Sequence, residues 1–149
     1  MSHNSITDDE AYADWQRSNS VATEAVDLSQ RSPIEVRLYL DDVRPCPFGY
    51  TIARSVAEAI DVMLHWTVTD ASLDHDLGAC DDCLRREEVA AAAANGAFLC
   101  EHVPNGTEFA RWMVRTGVWP TNKPKVHSAN PTGAATMRAM IDTHFPRAT

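Results

Sequence analysis

Three short apolar runs in this chain each stop at a cluster of carboxylate, imidazole or amide side chains, and that repeated punctuation constrains the fold more than any other feature. Val36-Arg37-Leu38-Tyr39-Leu40 ends at Asp41-Asp42, Val68 to Leu73 ends at Asp74-His75-Asp76, and Lys125-Val126-His127-Ser128 runs into Asn130-Pro131. Runs of this length bounded by turn residues read as strands. A fourth, Tyr50-Thr51-Ile52-Ala53, follows a loop forced by Pro45, Pro47 and Gly49. Helical patterns lie between them. Ser55-Val56-Ala57-Glu58 is a capping box, with Val56, Ala59, Ile60, Met63 and Leu64 at helical spacing behind it. After Gly106, the residues Phe109, Trp112, Met113 and Thr116 fall at i, i+3, i+4 and i+7, and Gly117 closes the helix. Pro131 opens a last helix with Met137, Met140, Ile141 and His144 on its inner face.

Strands alternating with helices predict an α/β domain, with a small, mostly parallel sheet of about four strands flanked by helices on both faces. In such folds the ligand crevice lies beyond the carboxyl ends of the strands. All three polar clusters fall there.

At 149 residues the chain has the length of one domain. Residues 1–33 carry Asp8, Asp9, Glu10, Asp14, Glu24 and Asp27 against Arg17 and Arg31, without sustained apolar periodicity. They read as a mobile acidic tail, although Tyr12, Trp15, Val21 and Val26 would allow a short docking helix. The folded domain is expected over 34–149. A net charge of -8 excludes a broad grip on duplex nucleic acid, which needs clustered Lys and Arg. A compact anionic ligand held through a metal is compatible with it. No apolar run approaches the roughly 20 residues that cross a bilayer, and no basic-then-apolar leader opens the chain, so a soluble cytoplasmic protein is expected. In that reducing compartment the four cysteines are free or bound to metal.

Asp41-Asp42 and Asp74-His75-Asp76 would bring several carboxylates together, which repel unless a cation offsets them; Mg²⁺ or Mn²⁺ suits such oxygen ligands. The plainer reading is that these aspartates cap loops. His75 sits between two aspartates, where it could react or orient a loop. His127 precedes Ser128, Asn130 and the first amides of a helix, a place where a phosphate can be held. Arg44 could pair with a carboxylate or grip a phosphate bidentately. Asn130 could contact a ligand or cap the helix. Separately, Cys80-Asp81-Asp82-Cys83 and Cys100-Glu101-His102 supply four ligands for a closed tetrahedral Zn²⁺ site. Arg85 to Ala94 between them is a strong helix former ended by Asn95-Gly96, so residues 79–104 read as a zinc-stapled insertion or as a reduced surface loop with incidental thiols. Cys46 stands alone.

Leu40-Asp41-Asp42-Val43-Arg44-Pro45, Ser72-Leu73-Asp74-His75-Asp76-Leu77-Gly78 and Val126-His127-Ser128-Ala129-Asn130-Pro131 together resemble the cyclic-phosphate-processing receiver-like domains, over roughly Val36 to His144. The resemblance implies a receiver-like fold and action on cyclic phosphate ends or nucleotides. Through the wider likeness to response-regulator receivers it implies Asp41 and Asp42 as metal ligands, with Asp74 as phosphoryl acceptor or further ligand. The chain departs from ordinary receivers in having His75 and Asp76 after Asp74, His127-Ser128 where a Ser or Thr is usual, no helix between the first two strands, and no final strand ending in Lys.

The reading that unites these features is a metal-dependent phosphoesterase. Asp41, Asp42 and Asp74 hold the cation, His127 exchanges the proton, Asp76 or His75 positions water, and Arg44, Ser128 and Asn130 contact the phosphate. Two alternatives are a non-catalytic module that binds a nucleotide or phosphorylated protein partner, with the zinc insertion as contact surface, and a phospho-accepting receiver.

Overall fold

A computed structural model describes residues 24–78 and 103–147 of the chain. The zinc ligands expected at Cys80, Cys83, Cys100 and His102, and most of the acidic tail, lie outside those residues. The apolar runs form β1 (Glu35–Leu40), β2 (Thr51–Ala53), β3 (Thr67–Leu73) and β4 (Lys125–Val126), and the amphipathic stretches form α1 (Val56–His65), α2 (Gly106–Thr116) and α3 (Pro131–His144). All strand pairs are parallel, in the order β2-β1-β3-β4. From β1 the chain moves to one edge and from β3 to the other, so the topological switch point lies between Leu40 and Leu73.

Strand alternation decides which side chains are buried. Leu38 and Leu40 of β1 and Ala71 and Leu73 of β3 pack with Met63 of α1, Phe109 and Met113 of α2, and Met137, Met140 and Ile141 of α3 in one core. A register shift opposite Val36/Arg37 inserts Thr69 as an extra residue in β3. The bulge lets Val68 and Ala71, three positions apart, both reach that core.

The three described helices share this one core, α1 packing on α2 and α2 on α3, rather than dividing between the two faces of the sheet. The cause lies in the β1–β2 connection, residues 41–50, whose prolines and glycine form no helix there to pack on the other face. That face carries Arg37, Tyr39 and Ser72.

Local sequence fixes the helix starts. Ser55 Oγ accepts from the Glu58 amide at 3.2 Å, and Asn105 Oδ1 accepts from the Glu108 amide at 3.2 Å. Of the expected tail, residues 24–33 are described, and they are tied to the domain: Glu24 meets Arg115 through its amide and its carboxylate, the Ser32 amide donates to the His65 carbonyl, and Val26 and Leu28 pack partly buried against the core. The last strand is shorter than its sequence suggests. The His127 amide still donates to the Leu73 carbonyl at 2.9 Å, but the chain then turns, and Ser128 Oγ accepts from the Asn130 amide.

Candidate active site

β1 and β3 lie side by side, so their first residues past the sheet, Asp41 and Asp74, are neighbours, and the Asp74 amide donates to the Leu40 carbonyl at 2.8 Å. Asp41, Asp42 and Asp74 each offer a carboxylate oxygen, all within 4.8 Å of one another, an arrangement that could hold a metal ion. Asp41 is fully buried. Its Oδ1 accepts from the Val43 and Arg44 amides at 3.0 and 2.8 Å, and its Oδ2 from Arg44 Nη1 at 3.1 Å and His127 Nε2 at 3.0 Å. Burial alone would push this carboxyl up; the donors outweigh it and hold Asp41 below the ordinary carboxylate range.

The other two carboxyls shift the opposite way. Burial pushes Asp42 up, and the charges of Asp41, Asp74 and Asp76 add to the effect. Burial followed by the charge of Asp41 raises Asp74, despite donation from the His75 amide and the Ser128 hydroxyl. Arg44 Nη1 stands 3.9 Å from Asp74 Oδ2 and also reaches the His127 carbonyl. One half-exposed guanidinium does not balance three clustered carboxylates, and hard oxygen donors lacking positive charge fit a divalent cation.

The residues singled out around the carboxylates, all of them described, each have a definite place. His75 is buried, its ring against Gly133 in the first turn of α3, with Nδ1 2.6 Å from Asp76 Oδ1. Asn130 caps α3, accepting from the Gly133 amide at Oδ1 and donating from Nδ2 to Asp76 Oδ1 at 3.2 Å. Asp76 is thus held from two sides while remaining partly exposed. His127 engages both ring nitrogens, Nε2 with Asp41 Oδ2 and Nδ1 with Ser72 Oγ at 2.6 Å, and its ring stacks flat on Tyr39 at 4.4 Å.

Three residues in this assembly escape sequence reasoning. Ser72 and Tyr39 are directly paired across β1 and β3 on the face away from the core. A polar Ser one residue before the end of an apolar strand is the signal that would have pointed to the first. Arg54 donates from Nη1 to the carbonyls of Asp41 and Arg44 and so pins the 41–44 loop to the start of α1. Its sequence position offers no such signal.

The profile of the cyclic-phosphate processing receiver domain matches residues 36–143, which include all four strands but for Glu35 and every site residue described above. The chain belongs to this family. Neither a curated protein nor a solved structure matches it. An acidic cluster able to hold a metal is typical of receiver domains, and here it sits where the receiver fold places it, at the switch point between β1 and β3. Among the described residues, no helix of this receiver is long and apolar enough to cross a membrane.

The charge imbalance has a measurable consequence. Because the folded-state values of Asp42 and Asp74 are raised, both groups oppose folding above those values, and the penalty is relieved as pH falls through them toward the ordinary carboxylate range. Asp41 acts oppositely: its stabilising contribution is present above the ordinary range and is lost as pH falls below it. A bound divalent ion removes the first penalty. At 100 times its dissociation constant, Mg²⁺ should stabilise the receiver by about 2.7 kcal/mol, raising Tm by about 10 °C near neutral pH. The shift should vanish on acidification through the carboxylate range, as thermal melts with and without MgCl₂ would reveal.

Proposed function

We propose that this receiver hydrolyses cyclic phosphate esters of nucleotides or RNA ends with a divalent cation, Mg²⁺ or Mn²⁺, held by Asp41, Asp42 and Asp74. The observation that carries the reading is the under-neutralised cluster of three carboxylates at the switch point, with a guanidinium beside it. When bound, such a cation neutralises the carboxylates and polarises a phosphoryl oxygen. Both oxygens of Asp41 are already bonded, so its link to a cation requires a bridging water, which Mg²⁺ commonly retains, or release of Arg44.

Arg44 binds the phosphate, offering N–H donors from a half-exposed guanidinium. Ser128 holds Asp74. Asp76, fixed by His75 and Asn130 at one oxygen, accepts a proton from the attacking water as its oxygen bonds to phosphorus. The ring P–O bond breaks and the departing alkoxide takes, through solvent, the proton that Asp76 gives back, leaving a monoester and the Asp76 carboxylate. The two histidines act as orienting groups: His127 has no ring nitrogen left for substrate, so the proton exchange that its sequence position suggested passes to Asp76.

The decisive variant is Asp76→Asn, assayed on a nucleoside 2′,3′-cyclic phosphate. Turnover should fall by about 10²–10⁴-fold with cation affinity nearly retained; an unchanged rate would remove Asp76 from the mechanism. For Cys80, Cys83, Cys100 and His102 we propose a structural Zn²⁺ site, since four protein ligands leave no open position for water. Elemental analysis of purified protein should find one zinc per chain.

A further inference from the structure

A hydrogen-bonded line crosses the ends of three strands, from Ser72 of β3 through His127 just past β4 to Asp41 just past β1. Ser72 Oγ lies 2.6 Å from His127 Nδ1, and His127 Nε2 lies 3.0 Å from Asp41 Oδ2. The ring between them is stacked on Tyr39 with an interplanar angle of 2°. A half-turn of the imidazole would replace both nitrogens with carbons, so the two bonds and the stacking surface fix the ring in position and sense.

The direction of the protons follows from the groups at the ends. A carboxylate only accepts, so Nε2 must carry a hydrogen to bond Asp41. In a neutral ring Nδ1 is then the bare nitrogen, and the Ser72 hydroxyl is the group that can donate to it. We propose that Ser72 is a positioning residue of the candidate cation centre, holding His127 as its Nε2–H tautomer so that the ring donates to Asp41 and fixes the direction of that carboxylate. The part concerning the cation rests on the proposed function, whereas the tautomer does not. The same three residue types could form a nucleophilic relay, in which Ser72 would react with a fluorophosphonate; a positioning role leaves it unlabelled.

Histidine ¹⁵N correlation spectra of the metal-free protein test the relay directly. The parent should show His127 protonated at Nε2 and bare at Nδ1, with the Nδ1 resonance moving in Ser72→Ala toward that of a nitrogen without a hydrogen bond. Protonation at Nδ1 in the neutral ring of the parent, or an Nδ1 resonance indifferent to the substitution, would overturn the proposal. Mn²⁺ titration supplies the second readout. Loss of an outer-shell partner should weaken binding by about 10-fold in Ser72→Ala, and Ser72→Thr, which keeps the hydroxyl, should restore it. Equal affinity of parent and Ser72→Ala would overturn the role at the cation, as would labelling of Ser72 by a fluorophosphonate. A parent that binds no Mn²⁺ at all would instead sink the proposed function, leaving the spectra to decide the relay.

Discussion

Asp74→Asn should reduce Mg²⁺ and Mn²⁺ affinity by about 100-fold or more, since loss of even an outer-shell partner commonly costs 10–100-fold. Asparagine preserves shape and leaves an oxygen to accept from the His75 amide, the bond that Asp74 Oδ1 makes at 2.8 Å. What it removes is charge. Asp74 is buried beside Asp41, and its carboxyl is pushed up by that burial and that neighbour. The metal-free variant should therefore be more stable than the parent near neutral pH while binding cations far more weakly. These opposite signs separate a ligand from a structural residue. Calorimetric titration with MnCl₂ and urea denaturation of the metal-free proteins would measure the two effects; a destabilised variant with unchanged affinity would assign Asp74 to the scaffold.

Gly106→Ala should destabilise the domain by about 3 kcal/mol, the upper range for forcing extra volume into a packed site. Alanine at an unobstructed helix position stabilises by about 0.4–1 kcal/mol, so the expected sign is itself a test. Gly106 opens α2 and donates its amide to the His75 carbonyl at 2.8 Å. A Cβ there would lie 2.2 Å from the Asp74 carbonyl oxygen and 2.7 and 2.8 Å from the Met137 side-chain methyl and sulfur. Met137 could swing aside, but the backbone oxygen cannot. The start of α2 would have to withdraw, weakening its bond to His75 and its packing on α3 directly beneath the carboxylates. Tm should fall by about 10 °C and cation affinity should drop with it. A more stable variant would mean that the helix and the β3 end are not in close contact.

The parts of this fold legible in the sequence are those set by neighbours along the chain. Leu38 and Leu40, the capping box at Ser55 and Glu58, and Asn130-Pro131 announce a strand end, a helix start and a helix cap without reference to distant residues. The carboxylate cluster was legible because parallel strands bring their carboxyl ends together whatever the register. What required the structure depends on register and facing. The partnership of Ser72 with His127 spans 55 positions and exists only because Tyr39, Ser72 and His127 share one pleat face. Likewise, the capture of both His127 nitrogens could not be read from a histidine at a strand end. Nor does sequence alternation reveal that the three described helices gather on one face. That follows from a ten-residue loop, 41–50, standing where a crossover helix would otherwise be.

If the three strand ends form a cation site that opens cyclic phosphates, a ³¹P NMR time course shows it most directly, following a nucleoside 2′,3′-cyclic phosphate incubated with the purified full chain, once with MgCl₂ or MnCl₂ and once with excess EDTA. The expected result is conversion of the cyclic diester resonance to a monoester with the cation and none with the chelator. Conversion at the same rate in EDTA, or an unchanged cyclic diester in the presence of both the protein and the cation, would contradict it.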